Sequence, residues 1–450
     1  MNPDLSEKLV WSAAAALALI TLGLLIRNIL AIPGHVPLDP NEGWNAAHAL
    51  AAMAGRGLYP PAQALMVNNY PPLSFYVIGL LARHGDPIIT GRWVALVSFL
   101  FCAISIEAVL RRMECGLRAV VLGTLFFAAT LLIASDYVGM DDPQLLGHAV
   151  QMGALLLLLR ERVMIAAALF AASLFLKHNL LALPLASALW LLLRDRRAGL
   201  HFLLWGTAFT LLGLVVFQLA TGTSLLAQLA SPRLSSLANV EAAVKQLWWA
   251  PLPIIAMTGF WPDRHSLFCS LYAAVAMVLG LAFAAGDGVD ANAFFDLAIA
   301  LSLALGLVVE RGRWPVVAAA SALPLLIFFG INFRDNNFFY TRAFAQSSAD
   351  DIAFLKSRPG LALCDQPSLC LWAGKSVEVD VFNVGEAIKV GARSPAPLVG
   401  LIAARHFAAL QLIDMNGLGP DVRRAIEQHY RQDHSDDNGT FLIPLLKREP

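Results

Sequence analysis

The feature that most constrains this chain is a recurring apolar run about twenty residues long. A segment crossing roughly 30 Å of hydrocarbon must satisfy its backbone hydrogen bonds internally, and a helix of that length does so. The first run, 9–32, follows a short polar start and carries no A-x-A-like cleavage site, which reads as an uncleaved anchor. Further runs fall at 90–110, 119–138, 143–159, 163–177, 179–193, 199–220, 247–261, 266–285, 293–309 and 314–331. The expected fold is a polytopic α-helical membrane protein of about eleven spans. Charged residues make up only 14% of the chain, against roughly 25% in soluble domains, so most of it does not face water. A net charge of zero gives no reason to expect a nucleic-acid partner and leaves membrane lipids as the general surroundings.

Basic residues set the expected orientation. With the N-terminus inside, Arg111, Arg112, Arg118, Arg160, Arg162, Arg194, Arg196, Arg197, Arg264, Arg311 and Arg313 all fall in cytoplasmic connections. The loop 286–292 (GDGVDAN), on the other side, has no Lys or Arg. This is the positive-inside pattern. It places the loop 33–89, the pair Asp141–Asp142, Lys177 and everything after about residue 332 on the outer side.

From residue 333 the composition changes. Residues 361–372, 377–384, 407–413 and 440–446 read as short buried strands, and 348–357 and 420–430 as helices. The polar run 431–439 reads as a solvated face and turn. The expectation is a transmembrane body over 1–332 and a small α/β soluble domain over 333–450. Cys364 and Cys370 could pair in an oxidising compartment or stand as two buried thiols, while Cys102, Cys115 and Cys269 read as packing residues. Trp372, Asp380 and Phe382 are candidates for a recognition surface, with strand packing the plainer reading for the two aromatics.

The first outer loop carries the most chemistry. Asp39 and Glu42 sit three apart, so one helical turn puts both carboxylates on one face. Such a pair can deprotonate a hydroxyl, bind a divalent metal or cap a helix; Asp39 before Pro40 is equally a good N-cap. The segment 73–83 after Pro71–Pro72 is too short to span and reads as interfacial. Asp136, Asp141 and Asp142 cluster beyond the third span, Lys177-His178-Asn179 interrupts an apolar stretch, and Arg56, Arg83, His84 and Arg92 flank the interfacial segment. Ionisable groups at membrane depth are costly and usually face a cavity or a partner. The plainer roles are a snorkelling anchor for Lys177, packing for His178 and lipid-headgroup contacts for Arg56 and Arg92.

The order Asp39-Pro40-Asn41-Glu42, Gly57-Leu58-Tyr59-Pro60, Tyr70-Pro71-Pro72-Leu73, Gly91-Arg92, Asp141-Asp142 and Lys177-His178-Asn179 resembles the GT-C superfamily of membrane glycosyltransferases. Within it, the likeness is to bacterial members related to protein O-mannosyltransferases and the lipid A aminoarabinose transferase. It covers most of the first 200 residues, and the ordered set carries it rather than any one motif. The resemblance implies a polyprenyl-phosphate-linked sugar as donor and an envelope glycan, lipid or protein as acceptor. It implies Asp39 as general base with Glu42 in support, and Asp141 or Asp142, with Tyr70 and His178, near the sugar or acceptor. Lys177, with Arg56 or Arg92, would hold the donor phosphate. Some relatives use a divalent metal and others do not, and no full ligand set is visible here, so the cofactor is unknown. The implied setting is a bacterial inner membrane with a periplasmic active face. The alternatives are a flippase for lipid-linked saccharides and a non-catalytic envelope-assembly protein; the gathering of ionisable residues at one face favours the enzyme.

Overall fold

The computed structural model describes residues 3–61, 63–222, 225–229, 233–334 and 342–445. Among them, seven helices are long and apolar enough to cross a membrane. These are Asp4–Ala31, Pro87–Arg112, Leu117–Ala134, Arg196–Thr221, Arg264–Ala284, Ala291–Arg311 and Pro315–Arg334. Their ends follow local chemistry. Asp86, with Pro87 behind it, caps α4 (Pro87–Arg112) by accepting from Ile88 and Ile89 N–H at 2.8 and 3.2 Å. Asp195 caps α9 (Arg196–Thr221) in the same way, and Gly222, at φ 66°, closes it.

The remaining expected spans differ in form. α6 (Gln144–Leu158), α7 (Val163–Leu176) and α8 (Ala182–Arg194) are apolar but have only 15, 14 and 13 residues, roughly 20–23 Å each. The expected continuous span 247–261 does not form. The chain runs instead through a helix Leu237–Gln246, a turn, and a seven-residue helix Pro251–Met257. Pro251 opens the second piece because a proline cannot donate the hydrogen bond that would continue the first. This broken pair still traverses the bundle. It leaves the Ser235–Gly286 bridge at one end and reaches Gly259, whose carbonyl accepts from Arg313 N–H at 3.0 Å, at the other.

The helix Phe295–Arg311 is the axis of the body, with every side chain from Phe295 to Val309 buried. It lies against α5 (Leu117–Ala134), where small residues let backbones touch. A Cβ on Gly123 would meet the Ser302 carbonyl at 2.7 Å. At one end of the bundle Arg311 binds the Asp263 carboxylate at 3.3 Å and the Met113 carbonyl, gathering three connections. The opposite end carries the first loop, folded as α2 (Pro40–Met53) and the nine-residue α3 (Leu73–Leu81).

The C-terminal segment sits on that loop. Its sheet has the order β1-β2-β4-β3, from Leu361–Cys364, Phe407–Leu412, Gly439–Pro444 and Tyr430–Asp436 respectively, with β1 and β2 parallel and the other pairs antiparallel. The strands expected at 407–413 and 440–446 are present, the second ending at Pro444, with residue 446 outside the described residues. Two others are corrected. Only Leu361–Cys364 of 361–372 is strand, because Pro367 starts a helix Pro367–Trp372; and 377–384 gives way to a helix Val381–Lys389 capped by Asp380. The run 431–439, expected as a solvated turn, is mostly β3, an edge strand with an exposed polar face. Cys364 and Cys370 form a disulfide, and Cys102, Cys115 and Cys269 are buried thiols.

Contact between the two parts is close. Trp44 Nε1 donates to Asp380 Oδ2 at 2.8 Å, Asn69 Nδ2 to Asn383 Oδ1 at 3.2 Å and Trp372 Nε1 to Asp86 Oδ2 at 2.8 Å. Gly43 lets α2 lie on the helix Pro367–Trp372: a Cβ there would stand 2.1 Å from Ser368 N and 2.5 Å from Pro367 C. Backbone cannot yield as a side chain can, so Gly43→Ala is expected to cost about 1–3 kcal/mol. A lowered thermal midpoint in detergent, with Gly57→Ala, where a Cβ meets open space, near wild type, is the check.

Candidate functional site at the end of the bundle

Asp39 begins α2: its extended backbone (φ −158°) and a carboxylate oxygen accepting from Asn41 N–H at 2.8 Å make it the N-cap, with Pro40 at the first helical position. One turn on, Glu42 points into the protein and is fully buried. It meets Arg92 of α4 in a two-pronged pair, Nε to Oε1 and Nη2 to Oε2, both at 2.7 Å. Arg92 also donates to the carbonyls of Ile32, Gly34 and Val36 at 3.3, 2.7 and 2.7 Å. All five guanidinium N–H groups thus have protein acceptors. Glu42 accepts in turn from the backbone N–H of Leu38 and of Asp141, both at 3.1 Å. One carboxylate therefore fixes the exit of α1 (Pro3–Ala31), the start of α2 and the loop 135–143.

That loop places two carboxylates differently. Asp142 receives Lys177 Nζ at 2.7 and 2.9 Å on its two oxygens. Lys177 ends α7, with extended backbone (φ −152°), and its ammonium also lies 4.8 Å from the centre of the Tyr70 ring. Asp141 turns the other way, against Gly91 of α4, where a Cβ would stand 1.9 Å from its Oδ1. Burial, then the charges of Glu42 and Asp142, push the Asp141 carboxyl well above its ordinary range.

Lys177, His178 and Tyr70 line a cleft of about 1330 Å³, counting the space open at its mouth. Asn41 and Trp44 of α2, Arg233, Asn292 of the loop before the axial helix, and Phe382 and Asn383 of the C-terminal segment complete the part that bears chemistry. Asp39 stands two residues from Asn41, half-buried at the edge of this region. Burial is the largest influence on its carboxyl and raises it to about 6; the Asn41 N–H opposes this, while Asp142, Asp290 and Glu42 add to it. A carboxylate with that value is mostly ionised at neutral pH yet basic enough to take a proton.

The sequence candidates thus separate. Tyr70, Lys177 and His178 are brought together in the cleft, Asp39 lies beside it, and Asp142 reaches it through Lys177. Glu42 and Arg92 are held behind it by one another, and Arg56 is exposed at the end of α2 and does not line it. Asp136 lines a separate small pocket with Arg27. Asp380 is buried, bonded to Trp44 and Asn383; Trp372 caps its indole on Asp86; Phe382 faces the cleft rather than the sheet. Sequence reasoning missed Arg233. Its guanidinium lies 5.8 Å from the Phe382 ring centre and donates to the Asp287 carbonyl at 3.4 Å. Its signal was an arginine in the outer connection between the apolar runs 199–220 and 247–261.

Among the described residues, the grouping of three Asp, Glu, His or Cys side chains close enough to share one metal ion is Asp351, His434 and Asp436, in the C-terminal segment. There His434 Nε2 meets Asp351 Oδ1 at 3.0 Å and Asn438 Nδ2 donates to Oδ2 at 2.7 Å, so both oxygens of Asp351 are already used.

No known protein-family profile matches the chain, and no curated protein matches it. Solved structures do. One is ArnT from Cupriavidus metallidurans bound to undecaprenyl phosphate, with a TM-score of 0.62, 14% identity, and coverage of 96% of this chain and 98% of that one. The same protein in the apo state aligns over the same shares with a TM-score of 0.57 and 13% identity. The chain shares the fold of these two structures.

Proposed function

We propose that the protein is a membrane glycosyltransferase that moves a sugar from a polyprenyl-phosphate donor to an acceptor hydroxyl on the outer face, with 1–332 as membrane body and 333–450 as an outer unit. The observation that carries the reading is the cleft itself. Its lining includes two cations, Lys177 and Arg233, and Asn41, two residues from the half-buried carboxylate of Asp39, on a fold shared with a protein crystallised with undecaprenyl phosphate. The positive-inside pattern supports a cytoplasmic N-terminus and a cleft on the outer face, and the family resemblance supports a bacterial inner membrane with that face periplasmic.

The chemistry follows from the charges. The acceptor oxygen attacks the anomeric carbon, its bond to the donor phosphate oxygen breaks, and polyprenyl phosphate leaves with the bonding pair. Negative charge grows on the phosphate, where Lys177 and Arg233 stabilise it. The acceptor proton passes to Asp39. One displacement of this kind inverts the anomeric centre and needs no covalent sugar–enzyme intermediate. Tyr70 and His178 line the space for the sugar. Asp142 orients Lys177, whereas Glu42 and Arg92 hold the loop that presents Asp39; the phosphate role expected for Arg92 passes to Arg233, because the Arg92 donors are spent within the protein.

Asp39→Asn is expected to lower turnover about 10²–10⁴-fold, the usual contribution of a general base, measured as release of polyprenyl phosphate from a panel of polyprenyl-phosphate sugars. Wild-type release that persists unchanged in Asp39→Asn sinks the assignment of the base, and no release from any donor sinks the transferase.

Since the base must be ionised, wild-type activity should hold above pH 6 and fall about tenfold per unit as pH drops through the Asp39 value near 6. A flat profile between pH 5 and 7 would remove Asp39 from the proton transfer.

Arg233→Ala should raise the donor KM about tenfold or more with little loss of stability, because among the described residues Arg233 forms no ion pair. Lys177→Ala should instead destabilise by about 3–5 kcal/mol, since it leaves Asp142 buried and unpaired. Parallel KM and thermal-melt measurements separate the two.

A further inference from the structure

Near the Glu42–Arg92 pair is a small cavity whose polar lining is Asn45 of α2, Ser74 of α3, Asp141 and Asp142, with Gly91 of α4 beside them. It has room for about one water-sized occupant. Three of its polar atoms are buried with no hydrogen-bond partner in the protein: Asn45 Oδ1, Ser74 Oγ and Asp141 Oδ2. Their residues are only 4%, 2% and 2% exposed. Two of these atoms are acceptors and the third can accept, so the cavity offers oxygen lone pairs and needs a positive or donating occupant.

The charges around it point the same way. Glu42, Asp141 and Asp142 are buried carboxylates, and Arg92 and Lys177 are the buried cations that face them. Arg92 neutralises Glu42 and Lys177 neutralises Asp142. When ionised, Asp141 carries the one negative charge left without a cation of its own, in a place where an isolated carboxylate costs several kcal/mol or more, so either a proton or a bound cation must neutralise it.

We propose that Asn45 Oδ1, Ser74 Oγ and Asp141 Oδ2 form a binding site for a single dehydrated alkali cation, with Na⁺ the best fit. All three ligands are hard oxygens, which select alkali and alkaline-earth ions over transition metals. Mg²⁺ keeps several waters, for which the cavity has no room, and Ca²⁺ calls for more ligand charge than one carboxylate supplies. A single positive charge balances the single uncompensated carboxylate. The ion joins α2, α3 and the loop 135–143, and so braces the peptide that carries Asp142 toward Lys177. The site is separate from the proposed transfer chemistry and stands or falls without it.

The test uses the full-length protein in detergent at pH 8 and needs no substrate. Na⁺ is titrated against choline at constant ionic strength, and the thermal midpoint is followed. Wild type should gain roughly 5 °C at about a hundredfold excess over Kd, as a ligand of the folded state must produce. Ser74→Ala removes a neutral ligand and should shift the half-effective Na⁺ concentration upward tenfold or more. Asp141→Asn removes the charge and should abolish the response while raising the midpoint in choline. A wild type indifferent to Na⁺ overturns the site and leaves a protonated Asp141 or a water there. So does a Na⁺ response that survives unchanged in both variants. A response to Ca²⁺ or Mg²⁺ but not to Na⁺ overturns the assignment of a monovalent ion.

Discussion

The pair between Glu42 and Arg92 fixes the geometry on which the whole end of the bundle depends. A buried ion pair is poor evidence for stability by itself, because removing two charges from water offsets much of their attraction. Its value here is positional. The five guanidinium N–H groups reach Glu42 and the carbonyls of residues 32, 34 and 36, and the carboxylate reaches back to the N–H groups of residues 38 and 141. The chain leaving α1 is therefore held at successive peptides right up to Asp39. A proton acceptor in a loop is only as well placed as the loop, and this one has its backbone hydrogen bonds answered from a spanning helix.

Lys177 and Asp142 repeat the device one layer nearer the cleft, with a difference. Arg92 is consumed by the protein, while Lys177 leaves one face over Tyr70 and toward the open space. An ammonium tied to a carboxylate on one side keeps its charge at membrane depth, where an isolated one would tend to lose its proton. A second anion arriving on the free side then meets a cation already oriented. Arg233, near the Phe382 ring and, among the described residues, hydrogen-bonded to a carbonyl at 3.4 Å, is the more adaptable of the two.

Much of this was legible in the residues. Apolar runs of helical length exposed the body, and the three-residue spacing of Asp39 and Glu42 exposed the first turn of α2. The division of labour between them was not legible: a carboxylate three residues along a helix can join its neighbour or turn inward, and an arginine sixty residues from the chain end it holds decides which. Arg92 was assigned to phosphate for the same reason, since sequence shows a cation but not whether its donors are spent. In the C-terminal segment, short apolar runs fit a buried strand or a short helix equally well. Pro367 and the capping side chain of Asp380 settled two of them as helix. Strand β3 was hidden because Arg431, Gln432, Asp433, Ser435 and Asp436 are all exposed, a polar run without alternation that reads as loop until its pairing with β4 is known.

The C-terminal segment is part of the site's construction, although it lies far from Asp39 in sequence. Gly43 is bare because the peptide of Ser368 occupies the place of its side chain, and Trp44, the next residue, donates to Asp380. The same turn of α2 that presents Asp39 and Glu42 on one side therefore grips the segment on another. Two residues past Asp380, Phe382 enters the cleft wall beside Arg233, and Asn383 follows it there while bonding Asn69. Arg233 itself is tied to the body through the Asp287 carbonyl, so the wall is built from both parts of the chain. The wall of the cleft therefore depends on the packing of Gly43 and Trp44 against the segment as well as on the side chains that line the space.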